Sequence, residues 1–145
     1  MGVPSVFPQH KLRQNNGNAP VDFDTDTIKV TIRTASYIYS SGHAFLADLG
    51  SNEVSGAGYA AGGAAVANKT MVLDGDNAEF AHDDLTFAQN AGGFTNGRVF
   101  IWYKDTGNPA TSPLIMRMAE ASDFGTVAGD VILDGSAATG VLNWT

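Results

Sequence analysis

Asp22, Asp24 and Asp26 in DFDTDT set carboxylates at alternate positions, as the opening of a calcium-binding loop does, where such side chains converge on one cation. The loop then breaks down: its sixth position, where glycine makes the sharp turn, is Thr27, and its twelfth, where a bidentate glutamate belongs, is Arg33. Solvated turn residues are the simpler reading. Asp74 and Asp76, with Asp83 and Asp84 further on, form a second oxygen-rich run that reads more simply as a hairpin connection. GAGYAA at 56–61 satisfies the dinucleotide pattern G-x-G-x-x-A on paper. That pattern needs a helix behind it, and Gly62 and Gly63 spoil one. A glycine-rich turn in which backbone approaches backbone accounts for it better.

Histidines 10, 43 and 82 share no metal-ligand spacing. His82 beside Asp83 and Asp84 resembles a polarised base, and Ser36, Ser40 and Ser41 lie near His43, but no serine sits in a G-x-S-x-G elbow. Neighbours along a strand also point to opposite faces, so adjacency is poor grounds for a triad. Phe94, Phe100, Trp102, Tyr103 and Trp144 have the rings to stack on sugars, although aromatics on strands are more often core. No catalytic residue, cofactor site or metal set emerges, and the chain reads as a non-enzyme.

Composition narrows the partners. Fifteen acidic residues against eight basic ones give a net charge of −7, which disfavours nucleic acid and anionic membranes because both are bound through basic faces. Only 16% of residues are charged and 17 of 145 are glycine, so much of the surface must be neutral and polar. Such a surface suits contact with other proteins, since few charges need desolvation on docking. Cysteine is absent, which removes thiol catalysis and disulfide scaffolds. Prolines 4 and 8 interrupt what a secretory signal would need as an apolar run, and nowhere do 18 apolar residues follow one another, so a soluble protein without a signal peptide is expected. The sequons at Asn68 and Asn143 carry no meaning in that setting.

The elements that would position these residues are strands. DTIKVTIR at 26–33 alternates Ile28, Val30 and Ile32 with Thr27, Lys29, Thr31 and Arg33. RVFIWYK at 98–104 sends Val99, Ile101 and Tyr103 one way and Phe100 and Trp102 the other, so both faces carry apolar bulk and both must be covered, by the same chain or by another subunit. Further strands are expected over about 65–73, over 78–88 with an interruption near Asp83, over 113–120, 130–134 and 140–144, with one short helix at 44–49. The whole reads as all-β: an antiparallel β-sandwich or jelly-roll-like domain over 22–145.

Residues 1–21 differ from the rest. They hold Lys11 and Arg13 and no acid, for +2, leaving six basic against fifteen acidic residues, or −9, in the remainder. With Pro4, Pro8, Pro20 and an Asn-Asn-Gly-Asn run they show no period, and an extended N-terminal arm is expected. Val3, Val6, Phe7, Leu12 and Arg13 of this arm, together with Phe100 and Trp102, are the expected partner interface.

The run FLADLGSNEVSGAGYAAGGAAVANKTMVLDGDNAEFAHDDLTF, followed by IWYKDTGNPATSPLI, resembles a family of small structural proteins of tailed bacteriophages. The matching pieces are Asp26 to Val30, Asn52 to Gly63, Asn68 to Thr70, Asp74 to Asp84, Tyr103 to Gly107 and Ser112 to Ile115, and the likeness spans about residues 22–145. The resemblance implies a virion component made in the host cytoplasm. It would be a capsid decoration or cement protein on the capsid exterior, bridging neighbouring copies of the major capsid protein; a homotrimer is expected because it would match a threefold lattice position and cover the second apolar strand face. The alternative it leaves is a tail or fibre module that binds host surface glycan. It carries over no catalytic residue.

Overall fold

The computed structural model describes residues 2–135 and 142–144. Among the described residues the regular structure is chiefly β, with all strand pairings antiparallel, and there is one α-helix. At its centre β2 (Ile28–Thr34), β7 (Gly97–Lys104) and β8 (Leu114–Phe124) lie side by side. Their register stacks Val30, Trp102 and Met116 in one row and Ile32, Phe100 and Met118 in the next. The two-residue strands β1 (Ser5–Val6) and β3 (Ala64–Ala65) flank them, giving a sheet in the order β1-β8-β7-β2-β3.

Alternation along β7 divides its side chains between two cores, as its sequence demands. On one face Ile28, Val30, Ile32, Phe100, Trp102, Met116 and Met118 form a large cluster with Phe80, Phe87, Phe94 and Leu133. The covering residues come from a three-stranded sheet ordered β10 (Leu142–Trp144), β5 (Asn77–Ala81), β4 (Thr70–Asp74) and from the pair β6 (Leu85–Phe87) with β9 (Val131–Leu133). On the other face Val99, Ile101, Tyr103 and Leu114 are closed over by Phe7, Tyr37, Leu46 and Leu49. Both layers therefore belong to this chain. Phe100 and Trp102, expected at a partner interface, are 4% and 0% exposed, because the second layer that their burial requires is supplied from within.

The expectation of an extended arm is likewise corrected. Ser5 and Val6 pair with Arg117 and Met116, the Phe7 amide donates to the Ile115 carbonyl, and Phe7 is only 1% exposed. Helix α1 (Pro8–Asn16) follows, with proline in its first turn and Gly17 left-handed (φ 69°) at its C-cap. Its buried residues are His10 and Arg13, one turn apart, so the inward stripe is polar and hydrophobic periodicity does not reveal it. His10 meets the Phe23 ring edge-on, while Arg13 donates Nη1 to the Ala44 carbonyl (3.0 Å) and lies 4.2 Å over the Phe45 ring. Of the arm residues expected to meet a partner, Phe7 and Arg13 are interior, Val6 is half-buried, and Val3 and Leu12 are exposed.

Elsewhere the expected strands fall close to the observed ones. The interruption near Asp83 separates β5 from β6, Gly75 (φ 60°) turns the β4–β5 hairpin, and the short helix at 44–49 is a 3₁₀ turn over Leu46–Leu49. The segment expected as one strand over 65–73 is broken, with β3 and β4 on separate sheets. Of the last expected strand, Gly140 and Val141 lie outside the described residues, as does Thr145 of the second sequon. Among the described residues no helix is long and apolar enough to cross a membrane.

Truncating Trp102 opens a cavity at the centre of the larger core and strands His82, whose Nε2 accepts the indole N–H at 3.1 Å. Trp102→Ala is expected to cost about 3–5 kcal/mol, read as a lower midpoint in urea denaturation at unchanged slope. Burial pushes His10 down from 6.5 to about 4 and lowers His82 as well, despite the opposing charges of Asp83, Asp84 and Asp134. A histidine held neutral in the folded state resists protonation that the unfolded chain accepts, so stability falls as pH drops from 6.5 towards 4. His10 alone contributes on the order of 3 kcal/mol to that loss. The lowered carboxylates Asp22, Asp48 and Asp105 stabilise above 3.8 and lose this only at lower pH, so the two windows separate. Denaturation midpoints measured across that range should decline in wild type and flatten in His10→Gln.

Candidate functional site

The outer edge of β2 is covered by the segment that follows the 3₁₀ turn. Thr34 donates its amide to the Asn52 carbonyl and Val54 donates to Ile32, with Arg33 and Glu53 opposite each other. Beyond that point the chain leaves the edge, and the Tyr59 hydroxyl accepts the Ile32 amide (3.0 Å) in its place. Pairing resumes at β3. Gly63 (φ 79°) brings the backbone so close to Val30 that any Cβ would overlap its carbonyl, and Gly56 packs as tightly on Gly93 and Phe94. Gly56 and Gly63 of GAGYAAGG serve close backbone approach, as expected, Gly58 and Gly62 adopt positive φ beside side chains, and no helix follows them.

This segment places Glu53 beneath a cleft of about 610 Å³, whose walls include Lys29, Arg33, Glu53, Tyr103, Asp105 and Pro109. Oε1 of Glu53 accepts from the Thr31 hydroxyl (2.8 Å), the Tyr59 hydroxyl (2.7 Å) and the Gly62 amide (2.7 Å). The Tyr103 hydroxyl donates to the Gly62 carbonyl (2.6 Å), so the same loop residue is held from both sides. Burial pushes Tyr103 up to about 12 and Tyr59 still higher, and both remain protonated donors across the physiological range. At the rim Lys29 pairs with Asp105 at 2.7 Å. Arg33 is 3% exposed, donates Nη1 to the Gly50 carbonyl (3.1 Å), and has no hydrogen-bond partner for its buried Nε. Burial lowers its proton affinity, and Glu53 offsets this only in part.

The residues singled out by type and spacing are not brought together here. Asp22 caps its own turn by accepting from the Asp24 and Thr25 amides, Asp24 accepts from Met71, and Asp26 pairs with Lys104 at 2.8 Å. Asp83 holds Asn68 and Asp84 holds the Gly135 amide. Among the described residues no three metal-ligating side chains cluster. His82 is buried with Nδ1 on the Asp83 carbonyl (2.6 Å) and Nε2 on Trp102, so neither nitrogen is available to a substrate. His43 contacts the Tyr37 hydroxyl, and the Ser40 hydroxyl accepts the Gly42 amide. Phe100 and Trp102, the rings on which glycan stacking would have relied, face the interior.

Sequence reasoning passed over Arg33, Glu53 and Tyr59. One signal was present: Glu53 is the only acid between Asp48 and Asp74, an isolated charge in a stretch of alanine and glycine. Removing it by Glu53→Ala leaves two hydroxyls and an amide without their acceptor, at an expected cost of about 2–3 kcal/mol. Tyr59→Phe should cost about 1–2 kcal/mol by freeing the Ile32 amide. Thermal melts of both variants check the order. Compared with known proteins, the chain matches no family model, no curated protein and no solved structure.

Proposed function

We propose that this chain is a bacteriophage capsid decoration protein that binds the assembled major capsid protein lattice and holds neighbouring subunits together. The observation that carries this reading is the apolar surface left over once both faces of the central sheet are covered. Among the described residues strand β4 lies at the edge of its sheet, where Asp24 accepts the Met71 amide, and it exposes Val72 and, at 81%, Leu73, two consecutive residues that point to opposite sides. Ile132, Val3 and Ile38 are exposed as well. An edge strand with bare apolar residues is ordinarily a liability, and a neighbouring polypeptide relieves it by adding a strand or covering the patch. The low charge density of the chain favours such docking, and the resemblance to small phage structural proteins supplies the identity of the partner.

A protein that binds the assembled shell but not free subunits stabilises the shell by mass action, about 2.7 kcal/mol per site at a hundredfold excess over Kd. Many such sites raise the resistance of a particle to heat and shear without any strong single contact. A homotrimer would match a threefold lattice position, while the sheet face it was expected to cover is already covered within the chain.

Purified protein should co-sediment with expanded shells of the parent virion and raise their disruption temperature. Leu73→Asp, at an exposed position, should fold with an unchanged melting temperature and lose that binding. Wild-type protein that ignores the shells, or Leu73→Asp that binds as well as wild type, would sink the proposal.

A further inference from the structure

We propose that the cleft over Glu53 receives a carboxylate group, held by Arg33 at its inner end and by Lys29 at its rim. This goes beyond the capsid reading and does not depend on it. A guanidinium withdrawn from water costs several kcal/mol unless an anion and a full set of acceptors compensate it. Arg33 has only partial compensation, from Glu53 opposite it, and lacks a full set of acceptors among the described residues. Among the described residues it takes part in no ion pair, its Nη1 donates to the Gly50 carbonyl, and its Nε is buried without a partner. Glu53 fills the role only in part, since its Oε1 is committed to Thr31, Tyr59 and Gly62 and it makes no ion pair with Arg33.

The guanidinium fork matches a planar carboxylate through paired N–H donors. The charges around the cleft favour a single negative charge. Lys29 and Arg33 stand against Glu53 and Asp105, so a dianion such as phosphate meets more repulsion from the two carboxylates than a single carboxylate does. Leu46, Ala61 and Pro109 add apolar wall, which fits a carboxylate on a short aliphatic stem. That group is either a small free carboxylic acid or an acidic side chain of a bound polypeptide.

The test is titration of labelled full-length protein, following the Arg33 Nε–H resonance, with propionate, with a capped glycyl-glutamyl-glycine peptide and with inorganic phosphate. A saturable shift with a Kd of roughly 1 mM is expected for a carboxylate probe, with phosphate weaker. Arg33→Gln should weaken binding by roughly tenfold or more, and Lys29→Gln severalfold, both read from amide shifts around Gly62. Lys29 is partly exposed, so its variant keeps the test open if Arg33→Gln does not fold. Propionate binding at least as tightly as the peptide supports the site and assigns it a free acid; tighter binding of the peptide supports it and assigns a polypeptide side chain. No saturable shift with either, tighter binding of phosphate, or unchanged affinity in Lys29→Gln overturns the proposal.

Discussion

The fold depends on one strand being buried on both sides. β7 sends Phe100 and Trp102 into one core and Val99, Ile101 and Tyr103 into the other, and each set must be removed from water for the strand to persist. Every other feature answers that demand. The two small sheets cover the first face, whereas the second is closed by the N-terminal segment, Tyr37 and the 3₁₀ turn. Burial of a side chain such as Trp102 also fixes its polar atom, and His82 supplies the acceptor from the covering layer. The two layers are thereby keyed to each other by a specific bond as well as by apolar contact.

The edges of the central sheet are managed in the same economical way. β1 and β3 have two residues each, too little to pair a whole neighbour. On the β2 side the gap is closed by a side chain, the Tyr59 hydroxyl standing where a strand's carbonyl would stand. The glycines that let the loop come close, the carboxylate that gathers its donors and the cleft above them are consequences of that repair. A site of this kind arises as a by-product of sealing an edge, and its charged residues are placed by backbone needs first.

Strands β2 and β7 were legible because period-two alternation survives in them, where apolar residues face a core. The turn at Gly75 and the break near Asp83 were legible from turn chemistry. Helix α1 was not, since the residues it buries are a histidine and an arginine, and only Pro8 and Gly17 mark its ends. The destination of Phe100 and Trp102 was not, because a strand's own sequence states that cover is needed and not who provides it. The cleft was least visible of all. Arg33 and Glu53 meet across a β-bridge between residues twenty apart, and Tyr59 reaches them through a left-handed glycine turn that spacing does not encode.

The pairing of β2 with β7 joins segments that leave the ribosome far apart in time. Ile28 meets Lys104 and Thr34 meets Gly97, so β2 waits for roughly 60 to 80 further residues before its hydrogen-bonding neighbour exists. At about 5–20 residues per second that interval is several seconds, during which Ile28, Val30 and Ile32 are exposed on an unpaired strand. No N-terminal fragment ending before β7 can close either core. The nascent chain must therefore be shielded or kept dilute until nearly the whole sequence is available, and overproduction that outruns such shielding will favour inclusion bodies over native protein.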